Sequence, residues 1–243
     1  MTKDFTTGKI TPILISFTIP LVLGNLFQMT YNAVDSIIVG RYVGKEALAA
    51  VGVCNPIMTM MLLFLNGLCI GAGILMGNQY GAKDYETLKR QISTTMIAGL
   101  IFSGALSVLG ALFSPQILQL LQIDKEIFEI TTQYLRVIML GMVFSFVYNF
   151  YAAVFRALGD SRTPLLFLIM SALINIGGDL FFVIVLQMGS LGCALATVFS
   201  EFLSAAACMV YVQKRFDFLK IRKGWFVFDK SLLKKTVSYG WVC

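Results

Sequence analysis

The chain has 243 residues, of which 58% are hydrophobic and only 13% charged, and its net charge is +6. Soluble domains are about 45–50% apolar and about 25% charged, so a soluble fold of this length cannot hide this much apolar surface and lipid contact is predicted. The absence of histidine excludes His-based triads, HExxH zinc sites and haem ligation by His. No GxxxxGK[ST] phosphate loop occurs, so the sequence argues against an enzyme.

Apolar runs of about 20 residues or more predict six membrane-spanning helices. They cover residues 13–38, 48–76, 92–113, 127–155, 164–187 and 191–213. A seventh helix begins near Leu232, but the segment to Cys243 is too short to cross a bilayer at about 1.5 Å per residue. We therefore predict an all-α membrane protein with a six-helix bundle at 1–213, a basic linker at 214–231 and the start of a truncated seventh helix at 232–243.

Lysine and arginine are distributed unequally between the two sides of this bundle. Fifteen of the 19 fall on the side of the N-terminus and the linker, three fall on the other side, and Arg136 lies within the fourth span. The positive-inside rule then places the N-terminus and the linker in the cytoplasm. This pattern predicts a multi-pass protein of the cell (plasma or inner) membrane.

Three acidic residues lie inside the predicted spans: Asp35, Asp179 and Glu201. A charged side chain at the centre of a membrane helix costs about 2.5–3.5 kcal/mol on insertion scales. The first and fifth spans run outward and the sixth runs inward. Asp35, Asp179 and Thr197 therefore all fall in the outer half of the membrane, within about 12 Å of that face. At this shared depth the three side chains are able to meet.

Asn175 precedes Asp179 by one helical turn, so both side chains lie on one face of the fifth helix. Together with Asp35 and Thr197, this face offers the oxygen atoms that a hard monovalent cation such as Na⁺ needs. Alternatively, two neighbouring carboxylates do not both ionise cheaply, and one holds a proton at neutral pH. The residues leave H⁺ and Na⁺ open. A simpler structural alternative places Asp35 at the membrane interface and makes Asp179 a hydrogen-bonded packing residue.

The first span carries a polar stripe in an otherwise apolar helix, formed by Gln28, Asn32 and Asp35. Such a stripe faces water or protein rather than lipid. Tyr148 and Asn149, with Glu201 already named, are further candidates for lining a substrate cavity. The many aromatic residues and methionines suit adaptable binding of flat cationic ligands, although contact with lipid is the simpler role for any one of them.

Several segments, in order, resemble the MATE (multidrug and toxic compound extrusion) transporters. They are DSIIVGRYVGKEALAAVGVCNPI (Asp35 to Ile57), GAGILMGNQYGAKD (Gly71 to Asp84), RALGDSRTP (Arg156 to Pro164), and NIGGD (Asn175 to Asp179) with GSLGCALAT (Gly189 to Thr197). The resemblance covers nearly the whole chain. It departs near the end, where the family commonly has Gly-x-Pro and this chain has Gly240-Trp241-Val242.

The resemblance implies a two-lobed transporter of twelve helices, of which this chain is the N-terminal lobe and the C-terminal lobe is missing. In prokaryotic branches of the family, an acidic residue of helix one and an Asn/Asp pair of helix five form a cation or proton site, with a helix-six threonine nearby. Carried over to matching positions, these residues are Asp35, Asn175, Asp179 and Thr197.

The expected function is cation-coupled antiport that exports organic, often cationic, drugs or toxic compounds, with H⁺ or Na⁺ as the coupling ion and no other cofactor. The expected partners are membrane lipid, a small organic substrate and the missing lobe, with no nucleic acid. One alternative is a flippase of lipid-linked saccharides in the same superfamily. It would need a cationic cavity, and Arg136 is the only deep base that the sequence offers. The other alternative is a fragment that does not transport.

Overall fold

The computed structural model describes residues 10–216, 219 and 226–242, and no strand occurs among them. The helices are α1 (Ile10–Ile38), α2 (Lys45–Gly81), α3 (Tyr85–Leu120), α4 (Lys125–Ala157), α5 (Arg162–Asp179), α6 (Gly189–Arg215) and α7 (Lys230–Val242). Two of them continue into short π-helical turns, α1 into Val39–Val43 and α5 into Leu180–Val185. Helices α1 to α6 are long and apolar enough to cross a membrane, which confirms the predicted six-helix bundle.

The helices run further than the apolar segments that predict them. Helix α2 begins at Lys45 and α3 ends at Leu120, because helical hydrogen bonding continues into the polar interface where hydropathy no longer marks it. Helix α7 begins at Lys230, two residues before the predicted start at Leu232. The Asp229 side chain precedes it and accepts hydrogen bonds from the backbone N–H groups of Ser231 and Leu232. Within the predicted linker, residues 217–218 and 220–225 lie outside the described part of the chain.

Helix α4 is the central helix of the bundle and packs against α2, α3 and α6. Its aromatic side chains Phe146, Phe150 and Phe155 are fully buried. Glycine on a facing helix makes room for such side chains: Gly99 of α3 lies directly against the ring of Phe146. Helix α1 is the least buried of the six spanning helices and contacts mainly α5, so one side of the bundle is left open beside it.

Helix α7 docks on α2 and α3, a contact that no pattern in the sequence predicts. At the crossing, Gly67 and Gly71 of α2 lie in direct backbone contact with Thr236 and Gly240 of α7. The buried amide of Gln91 on α3 donates a hydrogen bond to the Thr236 hydroxyl at 2.7 Å. Small residues permit this close approach because no side chain separates the two backbones.

We expect Gly71→Ala to destabilise the chain. The new methyl group would overlap the carbonyl oxygen of Thr236 and the backbone of Gly240, and overpacking of this kind costs about 1–3 kcal/mol. Thermal unfolding in detergent measures the effect as a lower Tm. Gly77→Ala is the matched control on the same helix, because nothing lies within 4 Å of the added carbon there. Equal Tm values for the two variants would contradict the close α2–α7 crossing.

The cytoplasmic position of the N-terminus stays a prediction, and the turns between helices allow a test. Lys83 lies in the α2–α3 turn and Lys125 at the start of α4, and both side chains are exposed. Four native cysteines are buried, so Cys243→Ser provides the background for single-cysteine labelling. We expect a membrane-impermeant maleimide to label Lys125→Cys in intact cells and Lys83→Cys only after permeabilisation. The reverse pattern would invert the predicted orientation.

Candidate functional site

Asp35 and Asp179 are each followed by a widened helical turn. Asp35 lies in the last turn of α1 and Asp179 is the last residue of α5. In the turns that follow, backbone N–H groups bond to the carbonyl five residues earlier: Gly44 to Val39 at 3.1 Å, and Leu186 to Phe181 at 3.0 Å. Such π-helical turns occur frequently at functional sites, where they redirect side chains.

Asp35 and Asp179 meet, although 144 positions separate them in the sequence. One carboxyl oxygen from each acid and the Cys193 sulfur of α6 lie within 4.8 Å of one another. The Asp179 side chain is completely buried, whereas Asp35 is half-buried. Helices α5 and α6 approach closely here because Gly178 has no side chain: a Cβ at this position would lie 3.0 Å from the Cβ of Ala196. The matched depth predicted for the two acids thus corresponds to a direct encounter.

Asn175 and Thr197 complete the group, as the sequence predicts. The side-chain NH₂ group of Asn175 donates a hydrogen bond to the Thr197 hydroxyl at 3.2 Å. The side-chain oxygen of Asn175 has no partner among the described residues. Four buried oxygens of this group lack a hydrogen-bond partner among the described residues: Oδ1 of Asp35, Oδ1 of Asn175, and Oδ1 and Oδ2 of Asp179. Oxygens left unpaired in an apolar bundle require a proton or a cation to offset their desolvation, so this donor set fits H⁺ or Na⁺.

A polar cavity of about 860 Å³ opens beside this group, between α1, α2, α4, α5 and α6. Asp35 and Thr197 line it, whereas Asn175 and Asp179 lie behind its wall. Asp35 is therefore the member of the carboxyl pair that stands between the cavity and the buried Asp179.

The predicted cavity residues all line this space. The stripe of Gln28, Asn32 and Asp35 faces it from α1, and Tyr148, Asn149 and Glu201 face it from α4 and α6. Hydrogen bonds hold several of these side chains in place, and the Asn149 amide donates to the carbonyl oxygen of Ser145 at 2.9 Å. The Tyr148 hydroxyl donates to the carbonyl oxygen of Pro164 at 3.1 Å, and the Ser145 hydroxyl donates to Glu201 Oε2 at 2.6 Å.

Sequence reasoning missed three residues of the site. Cys193, beside the two acids, precedes Thr197 by one turn on α6, so the spacing contains the signal. Ser145, the partner of Glu201, carries no sequence signal of its own. Arg156, in the last turn of α4, lines the cavity. Arg136, the deep base that the sequence offers, is exposed on the surface of the bundle and does not line it.

Comparisons with known proteins agree with this architecture. The chain is 35% identical to the probable multidrug resistance protein YoeA of Bacillus subtilis (strain 168), a match that covers 92% of this chain and 50% of that protein. It is 31% identical to the probable multidrug resistance protein YpnP of the same organism, over 87% of this chain and 47% of that protein. The chain thus spans about half the length of the curated relatives it matches.

Solved structures give the same result for the fold. One is the outward-facing conformation of a multidrug resistance MATE family transporter of the MOP superfamily, with a TM-score of 0.85 and 25% identity over 94% of this chain and 51% of that one. Another is MATE in the bent conformation, with a TM-score of 0.88 at 24% identity. The family model described as MatE matches residues 20–181, and the chain therefore belongs to the MatE family and forms a multi-pass membrane lobe.

Proposed function

We propose that this lobe works in a cation-coupled antiporter that exports small organic compounds, often cationic. The observation that carries the proposal is the meeting of Asp35 and Asp179 at the wall of a polar cavity. Their separation, within 4.8 Å, is too small for two negative charges to be stable away from water without a compensating positive charge. A coupling ion, H⁺ or Na⁺, supplies that charge.

Occupancy of the carboxyl pair would be linked to the position of α1. Asp35 belongs to α1, the least buried spanning helix, whereas Asp179 belongs to α5, which packs against α6. Pro20 lies inside α1, where proline removes a backbone hydrogen bond and favours bending. An ion that bridges the two acids would hold α1 against α5, and its release would weaken that contact. This difference in affinity between two conformations is what alternating access requires.

The proposed transporter includes a second lobe. The relatives named above are about twice as long as this chain, and the cavity is lined in part by α1, the least buried of the spanning helices. A facing bundle would complete its walls, so that export is the property of the paired lobes.

The charges of the cavity do not favour the flippase alternative. Arg156 lines it, but so do the acids Asp35 and Glu201. A cavity in which acids outnumber bases is a poor receptor for a lipid-linked pyrophosphate or a similar anion.

We expect Asp35→Asn and Asp179→Asn each to reduce efflux at least tenfold, because the amide neither binds H⁺ nor offers Na⁺ a charged ligand. The measurement is the initial rate of ethidium efflux from cells that express the complete two-lobed protein at equal levels. Asp124→Asn is the matched control, since Asp124 is exposed and makes no cap hydrogen bond. Full efflux with unchanged ion dependence in both site variants would contradict the assignment of the pair.

Thr197→Val distinguishes the two coupling ions. It removes a hydroxyl oxygen but keeps the shape of the side chain. If Na⁺ occupies the site, the half-saturating Na⁺ concentration should rise about tenfold, as it does when a metal site loses a supporting group. If the carboxyl pair carries H⁺, proton-driven transport should stay within about twofold of the unmodified rate, because the proton resides on the carboxyls. Transport into liposomes under separate Na⁺ and pH gradients measures both quantities.

A further inference from the structure

Glu201 is a second acidic position in the cavity, one turn of α6 beyond Thr197 and therefore about 6 Å further along the helix axis. Its Oε2 accepts the hydrogen bond from Ser145, and its carboxyl group lines the cavity. Both acids of the coupling pair have buried oxygens without a hydrogen-bond partner among the described residues, whereas Glu201 has none. Its carboxyl group is thus held by Ser145 at the wall of the cavity.

Within the described residues, no basic side chain neutralises Glu201. The ion pairs found there join Lys89 to Glu86 and Arg90 to Asp229, both remote from this cavity. The base that lines the cavity is Arg156, which follows Ser145 by eleven positions on α4. Eleven residues correspond to about 16 Å along a helix, too far for a direct ion pair with the carboxylate that Ser145 holds. A carboxylate in this setting is stabilised by a positive charge that enters the cavity.

The neighbours of Glu201 suit an organic cation better than a metal ion. Tyr31 faces the cavity from α1, and Tyr148 lies one turn from Ser145 on α4. All of these residues line the same cavity. Aromatic rings beside a carboxylate bind alkylated or delocalised cations by combining cation–π contact with charge attraction. A metal ion would instead need several converging oxygens, and Glu201 belongs to no such cluster within the described part of the chain.

We propose that Glu201, oriented by Ser145, recognises the positively charged group of the exported compound, while Asp35 and Asp179 hold the coupling ion. This inference rests on the proposed export function and deepens it by assigning charge selection to a residue outside the coupling pair. Tyr31 lines the same cavity as Glu201 and Asp35, so substrate and ion would share a wall of the cavity without sharing a carboxylate.

A pair of probes with the same shape and opposite charge tests the proposal: tetraphenylphosphonium, a cation, and tetraphenylborate, an anion. Equilibrium binding of each to the purified, complete two-lobed protein in detergent gives the Kd without any ion gradient. We expect the unmodified protein to prefer the cation. Glu201→Gln should raise the Kd for the cation at least tenfold and leave the Kd for the anion unchanged or lower, because only the charge is removed. Ser145→Ala, which frees the carboxylate, should have a smaller effect of the same sign.

Glu129→Gln is the matched control, because Glu129 is exposed on α4, and it should leave both Kd values unchanged. The proposal is overturned if the unmodified protein shows no preference for the cation, if Glu201→Gln leaves the cation Kd unchanged, or if it weakens both probes equally, as a purely structural role would. Failure of the proposed export function would appear elsewhere, as a lack of gradient-driven transport by the unmodified protein. The binding assay, which uses no gradient, therefore separates the two failures.

Discussion

The constraint on which this structure depends is the presence of two carboxyl groups at one place inside an apolar bundle. Asp35 and Asp179 come from helices that are distant in the chain, and a carboxyl oxygen of one lies within 4.8 Å of a carboxyl oxygen of the other, beside Cys193. Several of those oxygens are buried and unpaired within the described residues. Two ionised carboxylates this close together and away from water are unstable unless a positive charge compensates them. The two acids meet because α1 packs on α5 and α5 packs on α6.

The bundle has a well-packed part around α4 and a loosely packed part at α1. Helix α4 is enclosed by α2, α3 and α6. Gly99 of α3 makes room for Phe146 of α4, and Gly141 of α4 makes room for Val198 of α6. Close-packed interiors resist small deformations and move as units. Helix α1 has few such contacts and carries one of the two carboxyls. The element with the weakest packing is therefore the one that carries Asp35, so under the proposed coupling its position would depend on the ion, and ion binding would be converted into movement.

The cavity brings together charged groups with different surroundings. Asp35 is adjacent to a second acid, Glu201 is held by a serine hydroxyl, and Arg156 lies further along α4. A carboxylate beside another carboxylate binds a small ion or a proton tightly, whereas one that faces an open, aromatic-lined space attracts a larger cation. Residues of one chemical type can thus serve distinct purposes because their neighbours differ.

The number of spanning helices, their approximate limits and the polar stripe of α1 follow from the sequence alone, because a bilayer imposes length and hydropathy on every helix that crosses it. The pairing of Asn175 with Asp179 on one face and the shared depth of Asp35 and Thr197 also follow from the sequence, since a helix advances by a constant rise per residue. The depth of a residue in the membrane does not determine how its helix is rotated about its axis, nor which helices pack against it. Only the tertiary structure decided that Ser145 holds Glu201, that Arg156 rather than Arg136 faces the cavity, and that α7 docks on α2. Each of these depends on side-chain packing between helices that are far apart in the chain.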